Sequence, residues 1–306
     1  MSSRHSRRSS SISYQMSDDH VTSKTGQNSV TCVYQTHIGG YWRNITVNWT
    51  KNMMNCCVCC IYVDSLEDDY QQGTCKIDLK PWHFWSKKGY KTFEVDGNQL
   101  EAYWDLRSCK FSGGSPEPIS DFYVALIADE EVVLLLGDYK GKVFKKTKAK
   151  PALVEAVLFY KREHIFSKRS FSTRAKFANR RKEHDIIVES STTGQRDPEM
   201  WISIDGIVLI HVQNLQWKFR GNQTVLVNKQ SVQVFWDVHA WLFCTPGSSH
   251  GLFIFKPVGS MELDSDGEES SKGGDSECSD DTWYFSTQSH SKASPFCLFL
   301  YAWKIE

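Results

Sequence analysis

Hydrophobic and polar residues alternate strictly over two separated stretches of this chain. Leu100, Ala102, Trp104 and Leu106 share one parity against Gln99, Glu101, Tyr103 and Asp105; Val232, Val234, Trp236 and Val238 oppose Ser231, Gln233, Phe235 and Asp237. A period of two belongs to a β-strand with one buried face, so the tryptophans of both stretches are expected to anchor a core. The run DFYVALIADEEVVLLLGD, Asp121 to Asp138, predicts a hairpin turning at Asp129-Glu130-Glu131. Short strand-like runs broken by turn residues continue to the C-terminus, about eight per half, the pattern of an all-β sandwich or barrel. One helix is expected, at 149–166. Pro151 fits its first turn, Ala152, Leu153, Ala156, Val157, Phe159 and Tyr160 supply apolar residues, and Lys161 and Arg162 lie near its end.

The two alternating stretches are also copies of one another. At an offset of 132 residues Trp85 aligns with Trp217, Gly89 with Gly221, Thr92 with Thr224, Val95 with Val227, Trp104 with Trp236, Asp105 with Asp237 and Phe111 with Phe243, without a gap. Outside this window CCIYVD lies beside WISID, TCKIDL beside VLIHV, and CVYQTHI and YWRNITVNWT beside FSTRAKF and HDIIVES. The hairpin at 121–138 has its counterpart in LFIFKP and the terminal FCLFLYAW, separated by a polar insertion. The expected architecture is all-β, with two tandem β-sandwich-like domains produced by internal duplication, 30–148 and 167–306, joined by the short helix. Residues 1–29 are Ser- and Arg-rich, and 259–294 carries nine acidic residues from Glu262 to Asp281 with one Lys among them; both compositions predict disorder. Ser10 and Ser265 lie in kinase-like contexts.

Composition narrows the classes further. Lys plus Arg and Asp plus Glu are 36 each, so no net field draws the chain to nucleic acid, which is expected not to be a partner. The longest aliphatic run, Val132 to Leu136, is far short of a membrane span, and the polar N-terminus lacks the apolar core of a secretory signal. A cytoplasmic or nuclear protein is expected, with its ten cysteines reduced and the sequons at Asn44, Asn48 and Asn222 unmodified.

Candidate chemistry is sparse. Cys56, Cys57, Cys59 and Cys60 resemble overlapping C-x-x-C pairs, but on a strand Cys57 and Cys59 point one way and Cys56 and Cys60 the other, so buried thiols are expected and no metal site. Gly247 to Gly251 satisfies G-x-S-x-G, yet Pro246 before it and Leu252 to Phe255 after it read as loop into strand rather than a nucleophile elbow. Asp105 and Asp237, at equivalent positions of separate copies, are expected to serve strand ends and turns and not to pair as catalytic acids. No catalytic residue and no cofactor is expected. Charge is the strongest functional signal: from Lys140 to Lys182 fifteen Lys or Arg face only Glu155 and Glu163. If KGKVFKKTKAK is extended, Lys140, Lys142, Lys146, Lys148 and Lys150 share a face with Phe144 and could hold an anion or an acidic partner.

The segments TCVYQTHIGGYWRNITVNWTKN, CKIDLKPWHFWSKKGYKTFEVDGNQLEAYWDLRSCKFSGGSPEPISDFYVALIADEEVVLLLGD, PALVEAVLFYKREH, EMWISIDGIVLIHVQNLQWKFRGNQTVLVNKQSVQVFWDVHAWLF and FCLFLYAWKIE together resemble the plant family designated domain of unknown function 868, from about Ser29 to the end. The resemblance implies a plant protein and brings no activity, cofactor or site residue with it. The functional expectation is a non-enzymatic interaction or adaptor protein with a protein partner. The alternative is calcium-independent peripheral binding to anionic lipid through the Lys140–Lys182 region, and a third reading is an enzyme acting in a pocket between the domains.

Overall fold

A computed structural model of the chain describes residues 28–51, 57–65, 73–79, 84–112, 115–177, 182–191, 197–258 and 296–305. Residues 1–27 of the head expected to be disordered, the acidic insertion, Ser10, Ser265 and Cys56 lie outside the described residues; Asn28 and Ser29 are described, and Ser29 already opens a strand. The fold is all-β.

The first half consists of two antiparallel meanders. β1 (Ser29–Ile38), β2 (Tyr41–Lys51), β3 (Cys57–Val63) and β4 (Gly73–Leu79) pair in chain order. A 3-10 turn, Phe84–Lys87, leads into β5 (Lys88–Val95) and β6 (Asn98–Asp105). A small ribbon of β7 (Lys110–Phe111) and β8 (Pro118–Ser120) intervenes before β9 (Tyr123–Ala128) and β10 (Glu131–Gly137). The sheet order β10-β9-β6-β5 faces β1–β4, and Val47, Trp49, Cys59 and Ile77 from one layer meet Leu100, Ala102, Val124 and Leu126 from the other. This is a β-sandwich core, filled by alternate residues of both sheets.

After α1 (Lys140–Thr147), the two-residue β11 (Lys150–Pro151) and the long β12 (Val157–Ser167), the second half is built of two further meanders. β13 (Ser170–Ala175), β14 (His184–Ser191), β15 (Glu199–Ile204) and β16 (Ile207–Val212) form one meander; β17 (Arg220–Val227), β18 (Gln230–Asp237), β19 (His250–Pro257) and β20 (Cys297–Lys304) form the other, with α2 (His239–Phe243) between β18 and β19. Their shared core holds Ile186, Val188, Ile202, Trp236, Trp241, Phe253, Phe255 and Leu300. Five tight turns, Gly39-Gly40, Asp96-Gly97, Asp129-Glu130, Asp205-Gly206 and Asn228-Lys229, put two consecutive residues at positive φ, the hairpin geometry that matches strand twist.

Two sequence expectations are corrected. The segment expected as a helix at 149–166 is β-structure: β11, a loop at 152–156, and most of β12. β12 pairs antiparallel with β1 on one side and parallel with β20 on the other, and two hydrogen-bonded neighbours outweigh the modest helical pattern. Through it the two halves merge into one nine-stranded sheet, β17-β18-β19-β20-β12-β1-β2-β3-β4. Conversely, KGKVFKKTKAK is not extended, because Lys140–Thr147 is helical. The reason lies beneath it: all six residues of β9 are buried, so its outer face needs a cover, and α1 supplies one with Val143 and Phe144 against Tyr123, Ala125 and Ile127.

Candidate functional site

The residues with the richest chemistry meet where the halves join. On β12 the inward positions are Lys161 and Glu163, both buried, and they look into a crevice between the two sandwiches. The crevice opens into adjoining hollows of about 430, 280 and 540 Å³. Lys161 Nζ lies 2.8 Å from Glu117 Oε2 and 2.9 Å from Glu163 Oε1, and it donates to the Arg174 carbonyl at 3.1 Å. Thr173 Oγ1 donates to Glu163 Oε1 at 2.5 Å. Burial opposes the charge on Lys161, but Glu117 and Glu163 outweigh it and hold the ammonium well above the usual lysine range. An ammonium has three protons, and here all three are engaged. The group therefore ties β12 to the first half through Glu117 and to the second through Arg174, and it is in no state to act as a nucleophile. Beside it Cys32 donates to Glu117 Oε1 at 4.0 Å, with burial pushing its thiol far up and away from thiolate reactivity.

The opposite side of the same seam is aromatic. His164 stacks on Tyr301 (5.0 Å between centroids, 13°) and Phe166 on Trp303 (6.0 Å, 14°), each pair bridging β12 and β20. His250 packs edge-on to Tyr301, and Trp303 Nε1 donates to His164 Nδ1 at 3.4 Å. Burial, then Arg162 and His250, lower the His164 pKa to about 4, so the ring is neutral at pH 7 and free to accept that bond. Ring faces are spent on one another across the strands, the mode of stabilisation open to cross-strand neighbours. Sequence reading missed this cluster because its members come from segments 139 residues apart. The available signal was the alternation Tyr160, Arg162, His164, Phe166, a strand pattern that the helix expectation overrode.

Trp104 and Trp236 each bond back to the turn before their hairpin. Trp104 Nε1 donates to the Ser86 carbonyl at 2.9 Å, and Trp236 Nε1 to the Lys218 carbonyl at 3.2 Å. Asp105 takes Arg107 and Lys88, at 2.8 and 3.8 Å, and Asp237 takes Arg220 at 2.7 Å, so both carboxylates are ion-paired at strand ends. The hydrogen bond from Arg107 is the main cause that lowers the Asp105 pKa. Equivalence ends there: Lys110–Phe111 is a short strand, whereas Phe243 closes α2. Trp217 stands 83% exposed on the turn before β17. For its partner Trp85 only the backbone, in the 3-10 turn, is described.

The expected lysine face is rearranged. α1 turns Phe144 toward the sheet and leaves Lys140, Lys142, Lys145, Lys146, Lys148 and Lys150 exposed. Lys142 Nζ sits 3.3 Å from the Tyr139 ring centre and Lys146 Nζ 5.6 Å from that of Tyr103. In β3, Cys57 and Cys59 face the core and Cys60 is half-buried. The G-x-S-x-G segment is a turn entering β19, where Ser248 Oγ donates to the Thr245 carbonyl at 2.7 Å.

No curated protein and no solved structure matches the chain. Residues 25–304 match the model of the family described as plant protein of unknown function, DUF868. The match spans nearly the whole sequence, and the chain belongs to the plant family DUF868.

Proposed function

We propose that this protein is a non-enzymatic interaction protein, a duplicated and seam-locked pair of β-sandwiches that presents an open side of its second half to a protein partner. The observation that carries the reading is the contrast between equivalent edge strands. In the first half, edge strand β5 bears Lys91 and Glu94; at the matching offset β17 bears Gln223 and Leu226, and Leu226 is 64% exposed. Charges on an edge discourage further strand pairing, so the neutral residues at these two positions leave β17 guarded only by Arg220 at its start. Next to it β16, the edge of the other layer, exposes Ile207 and Val208, and the turn joining the two strands carries the exposed Trp217. An exposed tryptophan amid aliphatic residues is the composition of an interface anchor. The crevice supports the non-enzymatic part of the reading, since its buried cation is fully hydrogen-bonded.

A second reading rests on a different surface. The six exposed lysines on and just after α1 suit an anionic partner, as in peripheral binding to anionic lipid. The open-side reading is tested by proximity labelling in plant cells with the full chain and a Trp217→Asp variant. Neighbours enriched by the natural chain and lost in the variant are expected; none enriched, or all retained, would sink it.

A further inference from the structure

We infer that α1 and the loop 152–156 form a docking surface for anionic membrane lipid, with lysines at the headgroups and Leu153 entering the acyl boundary. The inference deepens the anion-binding reading of α1 and rests on it.

Leu153 is 94% exposed, more than any other large apolar side chain among the described residues, and Val154 (41%) and Val157 (40%) flank it. Mere looseness does not explain this exposure, because the loop is held at both ends. Lys150 N donates to the Glu130 carbonyl at 2.8 Å, Lys150 and Pro151 pair in parallel with Glu131 and Val132, and Ala156 packs on the first core. The fold therefore fixes an aliphatic side chain in water a few residues after a helix whose solvent arc is lysine. With Val143 and Phe144 against the sheet, helical periodicity turns Lys142, Lys145 and Lys146 outward. No ion pair links these three or Lys140, Lys148 and Lys150 to a described carboxylate. Asp129 and Glu130 sit beside Lys148, and Glu155 lies on the loop, so the cationic centre is α1 itself.

Lipid fits this surface better than the other anions. A protruding aliphatic side chain needs a fluid apolar acceptor, and the rings that might have stacked with bases, Tyr139 and Tyr103, have lysines over them. Basic residues at an anionic surface and one inserted apolar side chain act together, neither being sufficient alone.

The full chain, in buffer containing EDTA, is sedimented with vesicles of phosphatidylcholine alone and of phosphatidylcholine with phosphatidylserine. Pelleting is expected only with phosphatidylserine and is expected to fall as salt rises. Lys142→Glu, Lys145→Glu and Lys146→Glu combined should weaken it by about tenfold or more, and Leu153→Asp by about tenfold, while Leu153→Ile keeps it. Leu153 is so exposed that its variants should fold, which circular dichroism checks. Absence of phosphatidylserine-dependent pelleting overturns the inference. So does binding that the lysine reversals abolish and Leu153→Asp leaves intact, which would reduce α1 to a purely electrostatic contact with no inserted side chain. Neither outcome touches the open side around Trp217.

Discussion

Trp236 closes over Gly221 as Trp104 closes over Gly89. A Cβ placed on Gly221 would come 2.5 Å from Trp236 Cζ2, and one on Gly89 2.8 Å from Trp104 Cζ2. Each glycine is the cross-strand partner of its tryptophan, and each indole continues to a carbonyl of the preceding turn. The pairing thus fixes three things at once: the register of a hairpin, the angle of an indole and the end of the turn before it.

Gly221→Ala is therefore expected to destabilise the protein by about 1 to 3 kcal/mol, the usual cost of forcing extra volume into a packed site. Gly89→Ala should cost about the same or slightly less. Urea unfolding of both single variants and the double checks this, and unchanged midpoints would mean that the indoles move aside freely.

Lys161 makes a harder test of the seam. Removing it leaves Glu117 and Glu163 facing each other without a cation, and Lys161→Met should cost about 3 to 5 kcal/mol. Adding Glu163→Leu and Glu117→Gln should recover much of that loss, because the uncompensated charges go with it. A small effect from Lys161→Met alone would show that the crevice admits enough water to replace the tie.

The strands were legible wherever one face met the core and the other met water. Leu100 to Leu106 and Val232 to Val238 follow that rule, and the 121–138 hairpin, apolar on both faces of its first strand, still turns at Asp129-Glu130 as its sequence suggests. β12 was not legible because its polarity is inverted: Lys161 and Glu163 point inward, compensated by partners ten or more residues away, while Tyr160, His164 and Phe166 point out and are satisfied by β20. Neither compensation can be read from β12 alone. α1 was missed for a related reason. Its two adjacent apolar residues, Val143 and Phe144, fit a strand as well as a helix, and the deciding fact is the doubly apolar β9 that needs covering. A run such as YVALIA followed by EVVLLL was the available hint, since a strand apolar at every position has two faces to bury.

Thiol reactivity should divide by depth. Burial raises the pKa of Cys32, Cys59 and Cys75, so none of these is expected to react with iodoacetamide in the folded chain. Cys297 is half-buried, but burial lifts it to about 11, and it should react slowly. Peptide mapping after alkylation at neutral pH, with and without urea, reads each site. Fast native labelling of Cys59 would contradict the sandwich core as described.

The aromatic side of the seam should make stability depend on pH above the range where carboxylates act. His164 titrates near 4 in the folded protein, against an ordinary value of 6.5, because burial and then Arg162 and His250 penalise its cation. The unfolded chain takes up the proton first, so the stabilisation is complete above pH 6.5 and drains away as pH falls toward 4. Each unit is worth about 1.4 kcal/mol, but solvent reaches part of the ring, so a loss of about 1 to 2 kcal/mol between pH 7 and 5 is expected. Asp105, held low first by Arg107, acts below its ordinary 3.8 and does not interfere in that window. His164→Phe should keep the stack on Tyr301 and forfeit only the bond from Trp303, trading a little stability at pH 7 for a flatter profile. His250, also lowered by burial, leaves a residual slope of the same sign. Urea midpoints for both proteins at pH 7 and 5 decide the matter: if the natural chain and His164→Phe lose the same stability on acidification, the neutral imidazole is not what holds this side of the seam.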